Sequence, residues 1–577
     1  MKKFGIVATA ALAVALVVGV AWFFLHAGSG VKVADSLSAA DTVAIVTLED
    51  LCGWTGEFDR VGQTLPSQMK DSTPMAFDAN KRSEFLGFDP AKPDGWQQIG
   101  IDPKAGAAIL IDARLAGGKG GTPLPMLLLH IDDPKKLADF LSKKLGKPVD
   151  FSQSKDGVRE SDVMGQKVFS VHLGDWRGFV LPELYEAGPD ALRKVLQTMR
   201  ADSSPRLSAD NAFTTAMKEL PKGARFAAYA HADGALAYLR QQKRGVATGE
   251  HLAKLFRAAV IWGGLSENGA RIVATPEGVK ALQQVFAPEG KSPEFSRQIP
   301  KADWAAVRIS LNLKDMFDGA IALLPPDMGS ARTGIASARL GFTLLTGMGW
   351  DEITQAISGR AVVALDTKYV AALVDGSRDA LPQWRALLAV RDPAKADALL
   401  ENLIQIAKKR GVDPIAAKVG DQKAWQFKFG PAAAVVARIG EFIVVASDVA
   451  GAEAAAKLDK GASVAATPMA DAVDGEVIAG YCADFSGLLA ENSAFRKKIQ
   501  QESPQTLNLW PKDAAKQISS HIDLDRVGIV WKMGGDASNS SSVAAVLAAA
   551  AIPAFTRYAD RAKAVQIQPD PAAAPAP

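Results

Sequence analysis

The sequence predicts an α+β protein in which an N-terminal transmembrane helix is followed by two homologous halves, each with a largely antiparallel sheet. Three observations predict this. An uncharged apolar run opens the chain at residues 4–25. The stretch LLLHIDDPKKLADFLSKKL at 127–145 returns as ALLAVRDPAKADALLENL at 386–403. Strand patterns outnumber helix patterns and often come in consecutive pairs, for example 107–113 with 126–131, which suits hairpins better than regular βαβ winding.

The run from Phe4 to Leu25 follows Met-Lys-Lys and ends in the aromatic cluster Trp22, Phe23 and Phe24. As a helix it would be about 33 Å long, enough to cross a hydrocarbon core of about 30 Å. Twelve of its residues are Leu, Ile, Val or Phe, and each favours insertion by roughly 0.3–0.6 kcal/mol. Leu25 and His26 before Ala27 make a poor cleavage site, so the segment reads as a retained signal anchor. Lys2 and Lys3 then keep residues 1–3 cytoplasmic and place the main domain in the periplasm or outside the cytoplasm. Residues 26–39 read as a polar juxtamembrane linker containing Gly and Ser.

The first half is expected at 40–295 and the second at 300–540, joined by the Pro-containing polar stretch near 287–303. Their openings match: Ala40-Asp41 before TVAIVTL, and Ala302-Asp303 before WAAVRISL. Gly95-Trp96 and Gly349-Trp350 each open a segment ending in an apolar strand closed by an acid, Asp112 or Asp366. GQKVFSVHLG at 165–174 is set against DQKAWQFKFG at 421–430, with alternating Phe169, Val171, Leu173 and Trp425, Phe427, Phe429. GFVLP at 178–182 faces EFIVVAS at 441–447, and 226–239 faces 477–490, each a strand entering a helix through Ala-Asp. AAVIWGGL at 258–265 faces RVGIVWKM at 526–533, aligning Trp262 with Trp531. About seven matches in fixed order, at offsets of about 250–270 residues, point to an internal duplication.

Asp133-Pro134 and Asp392-Pro393 give each copy an N-cap and a proline at the first helical position. Leu137, Phe140, Leu141 and Leu145 then share one helical face, as do Ala396, Leu399, Leu400, Leu403 and Ala407. Such helices are expected to cover one side of each sheet.

Composition excludes several classes. In 577 residues, a net charge of +3 offers nothing to a polyanion, so no nucleic-acid partner is expected. Cys52 and Cys482, far apart, define no disulfide framework and read as small buried apolar residues. The chain holds no phosphate-cradling GxxxxGK[ST], no GxSxG and no HExxH. Gly117 to Gly121 reads as a flexible turn, and the SxxK matches at Ser67–Lys70 and Ser152–Lys155 fall in polar stretches. His26, His130, His172, His231, His251 and His521 show no pair at ligand spacing. Asp112, Asp133, Asp366 and Asp392 stand at strand ends or helix starts, where capping calls for an acid. No catalytic, cofactor-binding or metal residue is therefore assigned, and no cofactor is expected. Trp262 and Trp531 read as core.

Two resemblances follow from these residues. The segment VAAVLAAAAIPAFTRYADRAKAVQ at 543–566 resembles the later part of the type IV pilin N-terminal helix, without that family's leader site. Its apolar part, about 20 Å as a helix, is short for a bilayer. The tail at 567–577 is Pro/Ala-rich and expected to be disordered. The Ala-Asp openings at Ala40 and Ala302, the Gly-Trp segments and the Asp-Pro-capped helices resemble an uncharacterised family of exported, membrane-anchored bacterial proteins. That resemblance implies a tethered envelope protein and brings no catalytic residues. The expected function is non-enzymatic binding or an envelope structural role, with an envelope protein or a lipid-like ligand as partner. A lipid carrier or an unfamiliar envelope hydrolase are the alternatives.

Overall fold

The computed structural model describes residues 32–534, apart from 49, 53–78, 119–121, 147, 151–155, 164–165, 222–223, 265–267, 303, 368–382, 430–431, 459, 488–489, 491–492, 494–495, 498–499 and 502–516. The expected anchor at 4–25, the helix at 543–566, the tail and both SxxK matches lie outside these residues. Among the described residues no helix is long and apolar enough to cross a membrane.

The described chain divides into two units that are not simple halves. The first runs to Ala287 and adds Leu311–Phe342 and Ile522–Met533, and the second takes Pro288–Ser310 and Thr343–His521. The first break, between Ala287 and Pro288, falls in the stretch near 287–303, whereas Leu311–Phe342 and Ile522–Met533 cross over to the first unit. The apolar helix Met316–Leu323, within the span expected for the second half, belongs to the first unit and packs on Pro276–Phe286. Gly319 makes the contact possible, since a β-carbon there would meet Gln284, Ala281 and Val285 within 3 Å.

The first unit is built on strands β1 (Thr42–Leu48), β2 (Ala107–Asp112), β3 (Pro125–His130), β4 (Val158–Val163), β5 (Gln166–Leu173), β6 (Trp176–Val180), β7 (Ala224–His231), β8 (Phe256–Gly264) and β9 (Asn268–Ala274). They pair antiparallel throughout, in the order β4–β5–β6–β3–β2–β1–β7–β8–β9. The strand Gly528–Gly534 adds antiparallel to β9. The main core holds Ile45, Leu110, Leu128, Phe169, Trp176 and Trp262. Val33, Ala34 and Leu37 also lie in it, so the expected linker ends early: Lys32–Ser36 is a 3-10 turn whose apolar side chains enter the core.

In the second unit the strands are β10 (Trp304–Ser310), β11 (Ile357–Asp366), β12 (Trp384–Val390), β13 (Ile415–Val419), β14 (Gln422–Phe429), β15 (Ala432–Ile439), β16 (Phe442–Ala446) and β17 (Ala479–Asp484). Their order is β13–β14–β15–β16–β12–β11–β10–β17, again antiparallel. Both units thus show an α+β architecture with antiparallel sheet.

The shared strand order corrects three sequence matches. In the first unit β5 and β6 form the hairpin beside β3, and in the second β15 and β16 form the hairpin beside β12. Each turns through two residues opened by a glycine at positive φ, Gly174 (+60°) or Gly440 (+56°), as tight hairpins require. The counterpart of β5 is therefore β15 rather than 421–430, and β13 is an added edge strand. Trp425 accordingly lies on the opposite face from Phe169: Ala424 enters the main core while Trp425 packs on the other side. By the same order Trp262 stands on the first strand after β7, whereas Trp531 stands on the second after β17. Trp262 is a core residue, as expected. A β-bulge between Thr42 and Ala44 also shifts the opening match by one residue. Ile45 corresponds to Ala306, both buried, and Val46 to Val307.

Helices cover both sheet faces, contrary to expectation. In the first unit α1 (Pro134–Leu145) packs Leu137, Phe140 and Leu141 with Leu129 and Phe179, whereas α2 (Pro189–Ala201) sends Leu192, Leu196 and Met199 into the main core with Leu128. In the second unit α3 (Pro393–Lys409) uses Ala396 and Leu400 against Ile443 and Leu388. Its buried strip continues to Ile404 (3% exposed) rather than the expected Leu403 (38%). The contact follows the i, i+4 ridge across the sheet instead of the helix axis.

Among the described residues of the second unit, Arg308, Arg360 and Arg385 lie buried. Arg308 donates to the Val473 and Gly475 carbonyls at 2.7 and 2.8 Å. Arg360 donates to the carbonyls of Pro288, Glu289 and Gly290 and to Glu476. Arg385 donates to the Gln298 carbonyl and lies over the Trp304 ring. Burial pulls both Arg308 and Arg385 down to about 10; the Arg360 charge adds to the effect at Arg308.

Candidate functional site

Of the acids singled out by the sequence, Asp112, Asp133 and Asp392 act as caps. Asp133 accepts from the Lys135 and Lys136 amides at 3.0 and 3.1 Å, and Asp392 from the Ala394 and Lys395 amides at 2.9 and 3.2 Å. Asp112 accepts from the Arg114 amide and holds the Arg114 guanidinium with both oxygens. Asp366 closes β11 opposite Trp304.

Arg114 also reaches Asp202 at 2.6 Å and Asp41 at 3.5 Å. Burial pushes the Asp112 carboxyl up despite this partner. Partial burial acts the same way on Asp202, but hydrogen bonds from Ser204 and Arg114, with the Arg114 charge, outweigh it and bring the carboxyl down to about 2. A carboxyl lowered on folding stabilises the protein above its unfolded value of about 3.9, and that contribution is lost as pH falls toward 2. Asp202→Asn should therefore lower stability at pH 7 by about 1–2 kcal/mol and flatten the acid limb. Urea midpoints measured from pH 2.5 to 6 check this; an unchanged acid slope in the variant would refute it.

The histidines are dispersed. His231 is buried, with Nε2 3.8 Å from Asp210. His172 meets Arg177, and burial, Arg177 and Arg200 lower its pKa. His251 keeps a buried Nε2 without a hydrogen-bond partner, and His521 stands in the strand Gln517–Leu524. His26 lies outside the described residues. Neither cysteine is in a disulfide. Cys482 is buried in the second core, as expected, and burial pushes its thiol up to about 12, whereas Cys52 is only half-buried.

His130 is different. It ends β3, and its Nδ1 lies 3.4 Å from Asp132 and 3.9 Å from Asp102. Two loops are pinned together there. Ile101 bridges Ile131, the Asp102 amide donates to the His130 carbonyl, and the Asp133 amide donates to the Gly100 carbonyl. Gly100 has φ +76°, and a β-carbon there would lie 2.2 Å from the Asp133 carbonyl oxygen, so this approach requires glycine. The Lys104 amide holds one Asp102 oxygen at 2.9 Å and leaves the other toward His130. Trp176 meets the imidazole edge-to-face at 5.5 Å. Such a group offers one nitrogen and two carboxylates that can hold a cation. Linear spacing gave no sign of Asp102, which is distant in sequence; only the His130-x-Asp132 pair was visible.

No family model, no curated protein and no solved structure matches this chain.

Proposed function

We propose that this chain is an extracytoplasmic binding protein, tethered through residues 4–25, that holds an envelope protein partner on one face of its second unit. The observation that carries this is an apolar patch on the β10–β11 face: Val307 is 61% exposed, Val363 52% and Ile309 45%. Val307 and Val363 are directly opposed across the strands. The contrast with the first unit is informative. Val46, in the position of Val307, is 8% exposed, and the helix Ala232–Gln242 lies across its strand. Gly234 lets that helix approach, since a β-carbon there would lie 2.0 Å from the Thr42 carbonyl oxygen.

Covering the three half-exposed side chains would contribute about 3 kcal/mol in all. Three adjacent apolar residues on a sheet face mark an interaction surface more than scattered ones do. Exposed side chains on a sheet face suit an apolar stripe of a protein better than an acyl chain, which gains most when surrounded. The matching strand orders and the twin Asp-Pro caps support an internal duplication; among the described residues only the first unit has a helix across the strand in this position. The likeness to exported, anchored bacterial proteins is part of the same reading.

A photoreactive residue at position 307 of the full chain, irradiated in native membranes, should give one discrete protein adduct absent with the label at the exposed Lys423. Adducts confined to lipid would replace this reading with the carrier. Labelling no stronger than at position 423 would overturn both.

A further inference from the structure

We infer that Asp102, His130 and Asp132 form a site for a divalent transition-metal ion of the Mn2+ or Zn2+ class in the first unit. The inference is independent of the partner face in the second unit. One ligand atom from each residue lies within 4.8 Å of the others. Two ligands about 2.1 Å from one ion stand roughly 3.0–3.4 Å apart at octahedral or tetrahedral angles. His130 and Asp132 already have that separation at 3.4 Å, and Asp102 stands 3.9 Å from the same nitrogen. The remaining gap is at Asp102, whose side chain is 26% exposed and must shift slightly toward that nitrogen to share an ion.

The second observation is the state of the imidazole. The His130 side chain is 22% exposed, but its Nδ1 atom is buried and makes no hydrogen bond, although Asp132 and Asp102 lie 3.4 and 3.9 Å away. A buried ring nitrogen in that position is costly unless something fills the gap. The frame is prepared on every side. Gly100 and the Ile101–Ile131 bridge fix the two loops, Lys104 orients Asp102, and Trp176 fixes the ring. Orientation of ligands by neighbours of this kind is what metal sites use.

One nitrogen and two carboxylates select among cations. Ca2+ and Mg2+ prefer all-oxygen shells, whereas an imidazole with carboxylates suits Mn2+, Fe2+ or Zn2+. Three protein ligands with Asp132 open to solvent leave room for water in the other positions. In the second unit the same junction has Ala389 and Arg391 in place of His130 and Asp132, and Arg391 pairs with Glu289 at 3.6 Å. The site therefore belongs to one unit.

The competing arrangement is an imidazole paired with the two carboxylates alone, with no ion. Titration of the untagged, chelator-treated full chain with Mn2+, followed by the loss of the free-ion electron paramagnetic resonance signal, separates the two. One Mn2+ per chain should bind, Zn2+ should displace it, and His130→Ala and Asp102→Asn should each weaken binding at least tenfold. Asp132→Asn, at the most exposed ligand, leaves the fold least disturbed and should weaken binding as well. Circular dichroism of the metal-free variants monitors folding. Failure of the wild-type chain to bind Mn2+ or Zn2+ at 1 mM would overturn the site. Undiminished binding in all three variants would overturn it too.

Discussion

Arg360→Ala is expected to destabilise the second unit by about 3 kcal/mol. Arg360 is 1% exposed, and its two terminal nitrogens donate to three carbonyls and one carboxylate. Truncation leaves the Pro288, Glu289 and Gly290 carbonyls without their donor and opens a cavity under β11. One change works the other way: the Arg360 charge disfavours the charged form of Arg308, and that repulsion disappears. The net loss is therefore set below the upper range of about 5 kcal/mol for breaking a buried charge pair. Arg360→Met restores most of the volume without the donors and should recover part of the loss. Urea unfolding, with hydrogen exchange of the β10 and β11 amides, measures both. A loss under about 0.5 kcal/mol in Arg360→Ala would show that the carbonyls find water instead.

Trp176→Ala is expected to cost the first unit about 3–5 kcal/mol. The indole is 2% exposed in the main core, and its strand neighbours are Leu173 and His130. The same change removes the ring that fixes the His130 imidazole. Mn2+ affinity should therefore fall in Trp176→Ala although every ligand remains, while Trp176→Phe should keep most of both stability and affinity. Thermal unfolding and the Mn2+ titration read the two effects separately. Unaltered affinity in a destabilised but folded Trp176→Ala chain would remove Trp176 from a positioning role and leave it a core residue only.

The elements that local chemistry dictates were the legible ones. Asp133-Pro134 and Asp392-Pro393 cap helices with nearly the same amide bonds, because an acid followed by proline satisfies the first free amides wherever it stands. Alternation in 166–173 placed Phe169, Val171 and Leu173 on one buried face. Counterpart strands were less legible, since apolar alternation looks alike in every hairpin. A slip by one hairpin, or by one bulge at Thr42, leaves the pattern intact while changing the partner or the face.

Of the candidate site, only His130 and Asp132 could be seen side by side. Asp102 joins them through the Gly100 approach and the Ile101–Ile131 bridge, contacts with no periodic trace in the chain. The buried arginines were equally hidden. Arg308, Arg360 and Arg385 interrupt apolar strands, and nothing local distinguishes a surface arginine from one whose donors are met by distant carbonyls.

By itself, the sequence determined the α+β class, the antiparallel strand content and the capped strand-to-helix junctions of this protein. These depend on residues within a few positions of one another. The tertiary structure alone decided which strands take like places in the two sheets, how Met316–Leu323 joins the first unit, that Val307 and Val363 lie exposed on β10 and β11, and how Asp102 reaches His130. Each of these is a contact between distant segments, set by packing and close backbone approach rather than by local pattern.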